Sequence, residues 1–297
     1  MSQNIPAIPD EFPERRRTGV RRHSLPALFL KMTQERPPAH AGSYYPNDPD
    51  SLAASIRSLL SEPEGVSQTD VDPETFRAFI VPHGEFLSSG PVAAKAYRLL
   101  GKRKKKPERV MIVAPLHDWP EYGLILPTFP SFRIPTGSLP VDRKAIQKLA
   151  FFSETVFSDE AHLLEHSIET QLPFLFEIWG PVPIIPLGYA DLPSEALAHM
   201  MDPFLADPET VVLVSADFSR YFNLLQADRI DRESIARIHS GQSVDPLHVC
   251  GATAVNALGS FTRKGTLFPR LLMAANSALA TGVEQKTTGY ASFGFSG

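Results

Sequence analysis

Residues 110–118 read Val110-Met111-Ile112-Val113-Ala114-Pro115-Leu116-His117-Asp118. A short apolar run rich in β-branched residues reads as a buried strand, and the polar residues past its end read as a loop. Three more runs share this form: Phe79-Ile80-Val81, Pro183-Ile184-Ile185-Pro186-Leu187 and Val211-Val212-Leu213-Val214. Helical patterns lie around them, over residues 51–60, 91–100, 142–150, 163–179, 194–205, 226–239 and 258–280. Strands alternating with helices predict an α/β fold, an αβα sandwich on a mainly parallel mixed sheet.

The wider composition agrees. At 297 residues the chain is long enough for a large core. An apolar fraction of 43% and a charged fraction of 21% are ordinary for a globular protein. A net charge of -4 gives no reason to expect nucleic acid as a partner. No apolar run approaches the ~20 residues of a membrane span, and the start carries no signal-peptide pattern. The single cysteine rules out an internal disulfide framework and fits a reducing, cytoplasmic location. Residues 1–38 differ from the rest, with six prolines and the basic runs Arg15-Arg16-Arg17 and Arg21-Arg22-His23. They are expected to form a mobile Pro/Arg-rich extension ahead of one domain, residues 39–297. There is no internal repeat, and Lys102-Arg103-Lys104-Lys105-Lys106-Pro107 reads as a solvated connection.

In open α/β sheets, ligands bind beyond the carboxyl ends of the strands. Past the first strand stands Pro82-His83-Gly84-Glu85, past the second His117, and past the fourth Ser215-Ala216-Asp217-Phe218-Ser219-Arg220. Three strands thus deliver two histidines and an aspartate to one edge. Cys250 precedes Gly251 and a helical stretch, and a helix N-terminus favours a thiolate. His83, His117 and Cys250 would give two nitrogens and one sulfur with open positions, a donor set for iron, copper or zinc. Asp217 is the natural fourth ligand or the group that orients one. His248, two residues before Cys250, is a further candidate with a different aim.

A second motif competes. His162-Leu163-Leu164-Glu165-His166 matches H-x-x-E-H, a zinc-hydrolase signature, if both histidines share a helix face. Its bland alternative leaves the histidines polar, with Ile168, Leu172 and Leu175 packing inward. No third ligand on a following helix stands out for the hydrolase.

The residues now in view carry a resemblance. Ala41-Gly42-Ser43-Tyr44-Tyr45-Pro46, Pro82-His83 with Ser89-Gly90, and Pro115 with His117 resemble the Memo-like family. So do Glu165-His166-Ser167-Ile168-Glu169 with Leu172-Pro173-Phe174-Leu175, Ser215 with Asp217 and Ser219, Cys250-Gly251, and Gly289-Tyr290-Ala291-Ser292. Prokaryotic members are known as AmmeMemoRadiSam system protein B. The resemblance runs from Ala39 to the C-terminus. It implies a fold like that of class III extradiol dioxygenases and iron or copper on His83, His117 and Cys250. Redox chemistry, phosphopeptide binding and a role beside a radical-SAM protein and a third component of the same system have all been suggested for the family. His166, Glu169, Ser219 and Tyr44 would then line the pocket or brace the ligands.

The chain also departs from the family pattern. Gly84-Glu85-Phe86 replaces Ala-Gly-Tyr, Leu116 stands where serine is usual, and Arg220 replaces a histidine that would act as general base near Asp217. Arginine stays protonated and cannot take that role. It would instead attract a carboxylate or phosphate. Glu85, if turned inward, would serve as an acid–base group or pair with Arg220. Three functions follow: a metal-dependent oxidoreductase, a non-catalytic scaffold that binds an anionic peptide or partner in the same cleft, and the H-x-x-E-H hydrolase.

Overall fold

A computed structural model describes residues 34–61 and 72–297. The chain divides into the units Met1–Lys31 and Met32–Gly297. The first lies outside the described residues, and with it nearly all of the expected extension.

The second unit is built on an eight-stranded sheet, and its four central strands are parallel. They are β1 (Phe76–Val81), β2 (Arg109–Pro115), β7 (Ile184–Ala190) and β8 (Thr210–Ser215), in spatial order β7-β2-β8-β1. All six residues of β8 and six of the seven in β2 are buried. That burial explains why these strands read as continuous apolar runs instead of alternating ones: helices cover both faces of a parallel sheet. Each fully buried Val, Leu or Ile contributes ~1.5–3 kcal/mol by leaving water, so the strand ends rest on a rigid base. Outside β7 lie β3 (Gly123–Leu126), antiparallel to it, and β6 (Thr155–Phe157). Outside β1 lies β10 (Gly289–Ser296), antiparallel to β1, and beyond it β9 (Phe268–Asn276), antiparallel to β10. A separate hairpin pairs β4 (Ser131–Ile134) with β5 (Gly137–Pro140).

The helices are α1 (Pro49–Leu60), α2 (Phe86–Gly101), α3 (Arg143–Leu149), α4 (Asp159–Leu163), α5 (His166–Glu169) and α6 (Leu172–Trp179). They continue with α7 (Ser194–Leu205), α8 (Leu224–His239), α9 (Ala252–Arg263) and α10 (Ala278–Thr281). The αβα reading holds, with two corrections.

The helix expected over 163–179 is three pieces. Leu164 leaves the helical region, and Glu165 is extended (φ -81°, ψ 129°), its carboxylate capping the N–H of Ser167. A capping side chain restarts a helix in a new direction, so His162 and His166 do not share a face. The helix expected over 258–280 ends at Arg263, and β9 follows. Eight registered pairs with β10 override the helix preference of Leu271, Leu272, Met273 and Ala274. Pro269 is tolerated because β9 is the sheet's edge.

The body also begins before residue 39. Arg36 is fully buried and hydrogen-bonds through its backbone to Ser131 and Arg133 of the hairpin, at 2.9 and 2.8 Å. Its guanidinium donates to the carbonyls of His162 (2.7 Å), Glu165 (2.8 Å) and Pro37 (3.1 Å), and it pairs with Glu169.

Candidate metal centre

Spatial neighbours β2, β8 and β1 end side by side, which brings His117, Asp217 and His83 together. His83 is wholly buried. Its backbone N–H donates to Asp217 Oδ1 at 2.8 Å, its Nδ1 lies 2.9 Å from Ser215 Oγ, and its Nε2 lies 3.1 Å from Cys250 Sγ. His117 donates its backbone N–H to Glu165 Oε2 at 2.7 Å, with its Nδ1 3.1 Å from Oε1. His166 stacks on the His117 ring at 4.6 Å and faces the His83 ring edge-on at 5.2 Å. Its Nδ1 stands 3.2 Å from Glu165 Oε1.

Among the described residues, His83, His117 and His166 form a group in which one ligand atom from each lies within 4.8 Å of the others. Metal–nitrogen bonds of ~2.1 Å bring such atoms to about 3–4 Å apart, so closing on an ion needs only a small inward shift. Glu165 organises two of the three. An ionised carboxylate only accepts, so the hydrogen-bonded Nδ1 of His117 carries a proton and its Nε2 lone pair is left for a ligand, while the His166 Nδ1 faces the same carboxylate as a close charge neighbour. Neutral imidazole suits iron, copper and zinc.

The electrostatics favour the neutral form of His83 and His166. Burial, then the charge of His117, lowers His83 to about 3. Burial, then the charge of His83, lowers His166 to about 3. Burial acts to raise Glu165, but the hydrogen bond from His117 and the charges of His117 and His166 outweigh it and hold the carboxyl well below its usual range. Deprotonated nitrogen is what a metal requires.

The remaining expected residues occupy varied positions. Cys250 touches His83 and accepts from the Asp217 backbone N–H at 3.1 Å. The dipole of α9 does not make it a thiolate here: burial, then the negative charge of Asp217, pushes the thiol up. Asp217 is buried, and burial raises its carboxyl; its Oδ2 is 3.9 Å from His83 Nε2. Tyr44 places its ring 4.7 Å from that of His166. Glu169 serves the N-terminal arm instead of the centre. It pairs with Arg36, takes the Tyr45 hydroxyl, and accepts from the N–H groups of Ala39 (3.0 Å) and His40 (2.8 Å). Ser219 is buried, its N–H held by Asp231 at 2.9 Å. Glu85 is exposed, and no ion pair joins it to Arg220 among the described residues. The inward-facing Glu85 is therefore corrected: at the N-cap of α2 its side chain makes no cap bond and stays in water. Arg220 lies 5.6 Å over the ring of Tyr221. Burial acts against its charge, but Cys250 and Asp217 outweigh it and raise its pKa.

The hydrolase reading fails on geometry. His162 is buried away from the group, its Nε2 3.0 Å from the Ile125 carbonyl and its ring edge-on to Phe132 at 6.2 Å. His248 faces Phe222 at 6.3 Å. Residues given no role from the sequence matter as well. His40 rests 5.0 Å from the Tyr44 ring and 5.6 Å from that of His166. Ser215 and Gln171 stand behind His83. Ser215 had a readable signal, since a polar residue ending a buried apolar strand needs a partner.

A family model described as Memo-like protein matches residues 36–292. The chain belongs to the Memo-like family. A MEMO1 family protein of Methanopyrus kandleri is 31% identical over 289 residues, covering 88% of this chain and 99% of that one. One from Metallosphaera sedula is 30% identical over 286 residues, covering 88% and 99%. The solved structure of an uncharacterized Escherichia coli K12 protein aligns at a TM-score of 0.46 with 14% identity, over 75% of this chain and 100% of that one. That likeness is too weak to carry weight. In this Memo-like chain, then, the family's Glu-His-Ser-Ile-Glu block supplies one histidine of the group, the carboxylate that braces two of them, and the anchor of the arm.

Proposed function

We propose that this protein is a metal-dependent oxidoreductase with a single iron or copper ion held by His83, His117 and His166, and with Cys250 as a flanking soft donor. One observation carries the reading: three imidazoles converge, and Glu165 holds the His117 Nδ1 by a hydrogen bond while facing that of His166. A bound ion would supply one-electron chemistry and activation of a small ligand. The chain's own residues then have distinct tasks. Glu165 orients, Asp217 fixes the His83 backbone and stands as a buried acid–base group, and His40 and Tyr44 roof the His166 side. Because Arg220 cannot accept a proton, Asp217 is the buried group left for proton transfer.

Anaerobic purification with metal analysis tests the proposal. Wild type should carry close to one equivalent of iron or copper, and His166→Ala and His83→Ala should lose it. Cys250→Ser should keep the ion and shift its spectrum. Retention of metal by His166→Ala would overturn this ligand set in favour of His83, His117 and Cys250.

A second reading, a non-catalytic binder of an anionic peptide or partner, draws on Arg220: no ion pair to it occurs among the described residues. If Arg220→Ala abolished an oxidation already measured in wild type, that reading would fail. Association with a radical-SAM protein and a third component is likewise proposed, and co-purification of the three tests it. No helix among the described residues is long and apolar enough to cross a membrane.

A further inference from the structure

Behind His83 lies a buried polar chain whose hydrogens can be counted. Tyr97 donates its hydroxyl to Gln171 Oε1 at 2.7 Å. Gln171 Nε2 donates to the Pro82 carbonyl at 3.0 Å, which fixes the amide's orientation because a carbonyl cannot donate. The same Nε2 donates to Ser215 Oγ at 3.1 Å. Ser215 gives its one hydroxyl hydrogen to the Ser167 carbonyl at 2.7 Å, again an acceptor only. The Ser215 oxygen has then spent its hydrogen and one lone pair. The 2.9 Å contact to His83 Nδ1 can be made in one way, with the ring donating. Tyr97, His83, Gln171, Ser167 and Ser215 are all at most 1% exposed, so exchange of partners with water is blocked.

We propose that Ser215, locked by Gln171, is a positioning residue that selects the Nδ1–H tautomer of His83 and thereby aims the Nε2 lone pair at the centre. The inference rests on the metal reading above for its purpose but not for its geometry. It also explains why a serine closes an otherwise apolar strand, and why Gln171 follows the histidine segment at that spacing. Ser167, through its carbonyl, joins the His166 segment to the His83 brace. Glu165 thus sets the His117 ring and Ser215 the His83 ring, through one short stretch of chain.

The test uses metal-free protein labelled with ¹⁵N-histidine, with the His83 signals assigned by their loss in His83→Gln. Long-range proton–nitrogen correlations at neutral pH should report His83 as the Nδ1–H form in wild type. Ser215→Ala should convert it to the Nε2–H form, donating toward Cys250, and weaken cobalt(II) binding ~10–100-fold. Ser215→Thr, which keeps the hydroxyl, should restore both. An Nε2–H signal in wild type, or an unchanged Nδ1–H signal in Ser215→Ala, overturns the proposal. Should Ser215→Ala fail to fold, the wild-type tautomer alone still decides. A tautomer switch in a protein that binds no cobalt would leave Ser215 in its role and remove the metal reading instead.

Discussion

Two stretches of loop and short helix border the centre, and they are built on opposite terms. In Glu165–Gln171 each polar side chain is engaged inward: Glu165 to two histidines, Ser167 to the Pro115 carbonyl at 2.9 Å, Glu169 to the arm, and Gln171 to Ser215 and Tyr97. In Asp217–Tyr221 only the first half is tied down. Asp217 holds His83 and Ser219 holds Asp231, whereas Arg220 lies over the neighbouring Tyr221 ring, and Tyr221 is 70% exposed with a left-handed φ of 65°. One side of the rim is rigid enough to hold. The other is kept open and somewhat strained, as suits a surface that receives something.

The comparison can be broken most forcefully at Glu169. Removing one member of a fully buried pair leaves an uncompensated charge, which costs ~3–5 kcal/mol. Glu169→Ala should therefore lower stability by about that amount in denaturant titration. An effect below ~1 kcal/mol would mean that the rigid side is not rigid.

Glu165→Gln is expected to follow, at ~1–3 kcal/mol, because the amide keeps the shape but loses the charge-assisted bonds to two backbone N–H groups and the His117 ring. It should also weaken metal binding. Unchanged affinity would show that the rings hold their orientation without it.

Acid should act on the same side. His83 and His166 are depressed to about 3 in the folded state, against an unfolded value near ~6.5. Below ~6.5 the unfolded chain takes up protons that the folded one refuses, so stability is full above that pH and falls toward pH 3. For the metal-free protein, each buried histidine should cost ~2 kcal/mol at pH 5. Equal unfolding midpoints at pH 7.5 and pH 5 would contradict this.

On the open side the effects should be small. Tyr221→Gly relieves a left-handed backbone and should raise stability by ~0.5–1 kcal/mol. Arg220→Ala should stay within ~0.5 kcal/mol while weakening any carboxylate or phosphate ligand, measured by calorimetry. A large loss of stability there would make the two sides alike.

The same contrast explains what could be read from the sequence. The central strands were legible because burial on both faces writes an unbroken apolar run, and His83 and His117 were legible because they stand at the ends of such runs. The edge strand β9 was not: Leu272, Met273 and Ala274 carry helix preference, and only pairing with β10 overrides it. Glu165 was weighed as a hydrolase residue because H-x-x-E-H assumes a continuous helix. The break at Leu164-Glu165 depends on a carboxylate capping its own chain, which spacing does not encode. The partnerships of Arg36 and Gln171 join residues 133 and 44 positions apart in sequence, and no local pattern announces them.

The Arg36–Glu169 pair also sets an order of events. Arg36 leaves the ribosome first and must wait for Glu169, 133 residues later, which at 5–20 residues per second is roughly 7–27 s. Until then its guanidinium is a solvated cation, and the carbonyls of His162 and Glu165 do not yet exist to receive it. Strand β1, beside β8 and β10 in the finished sheet, waits longer still. The centre can therefore close only once β8, which separates β1 from β2 in the sheet, has been made.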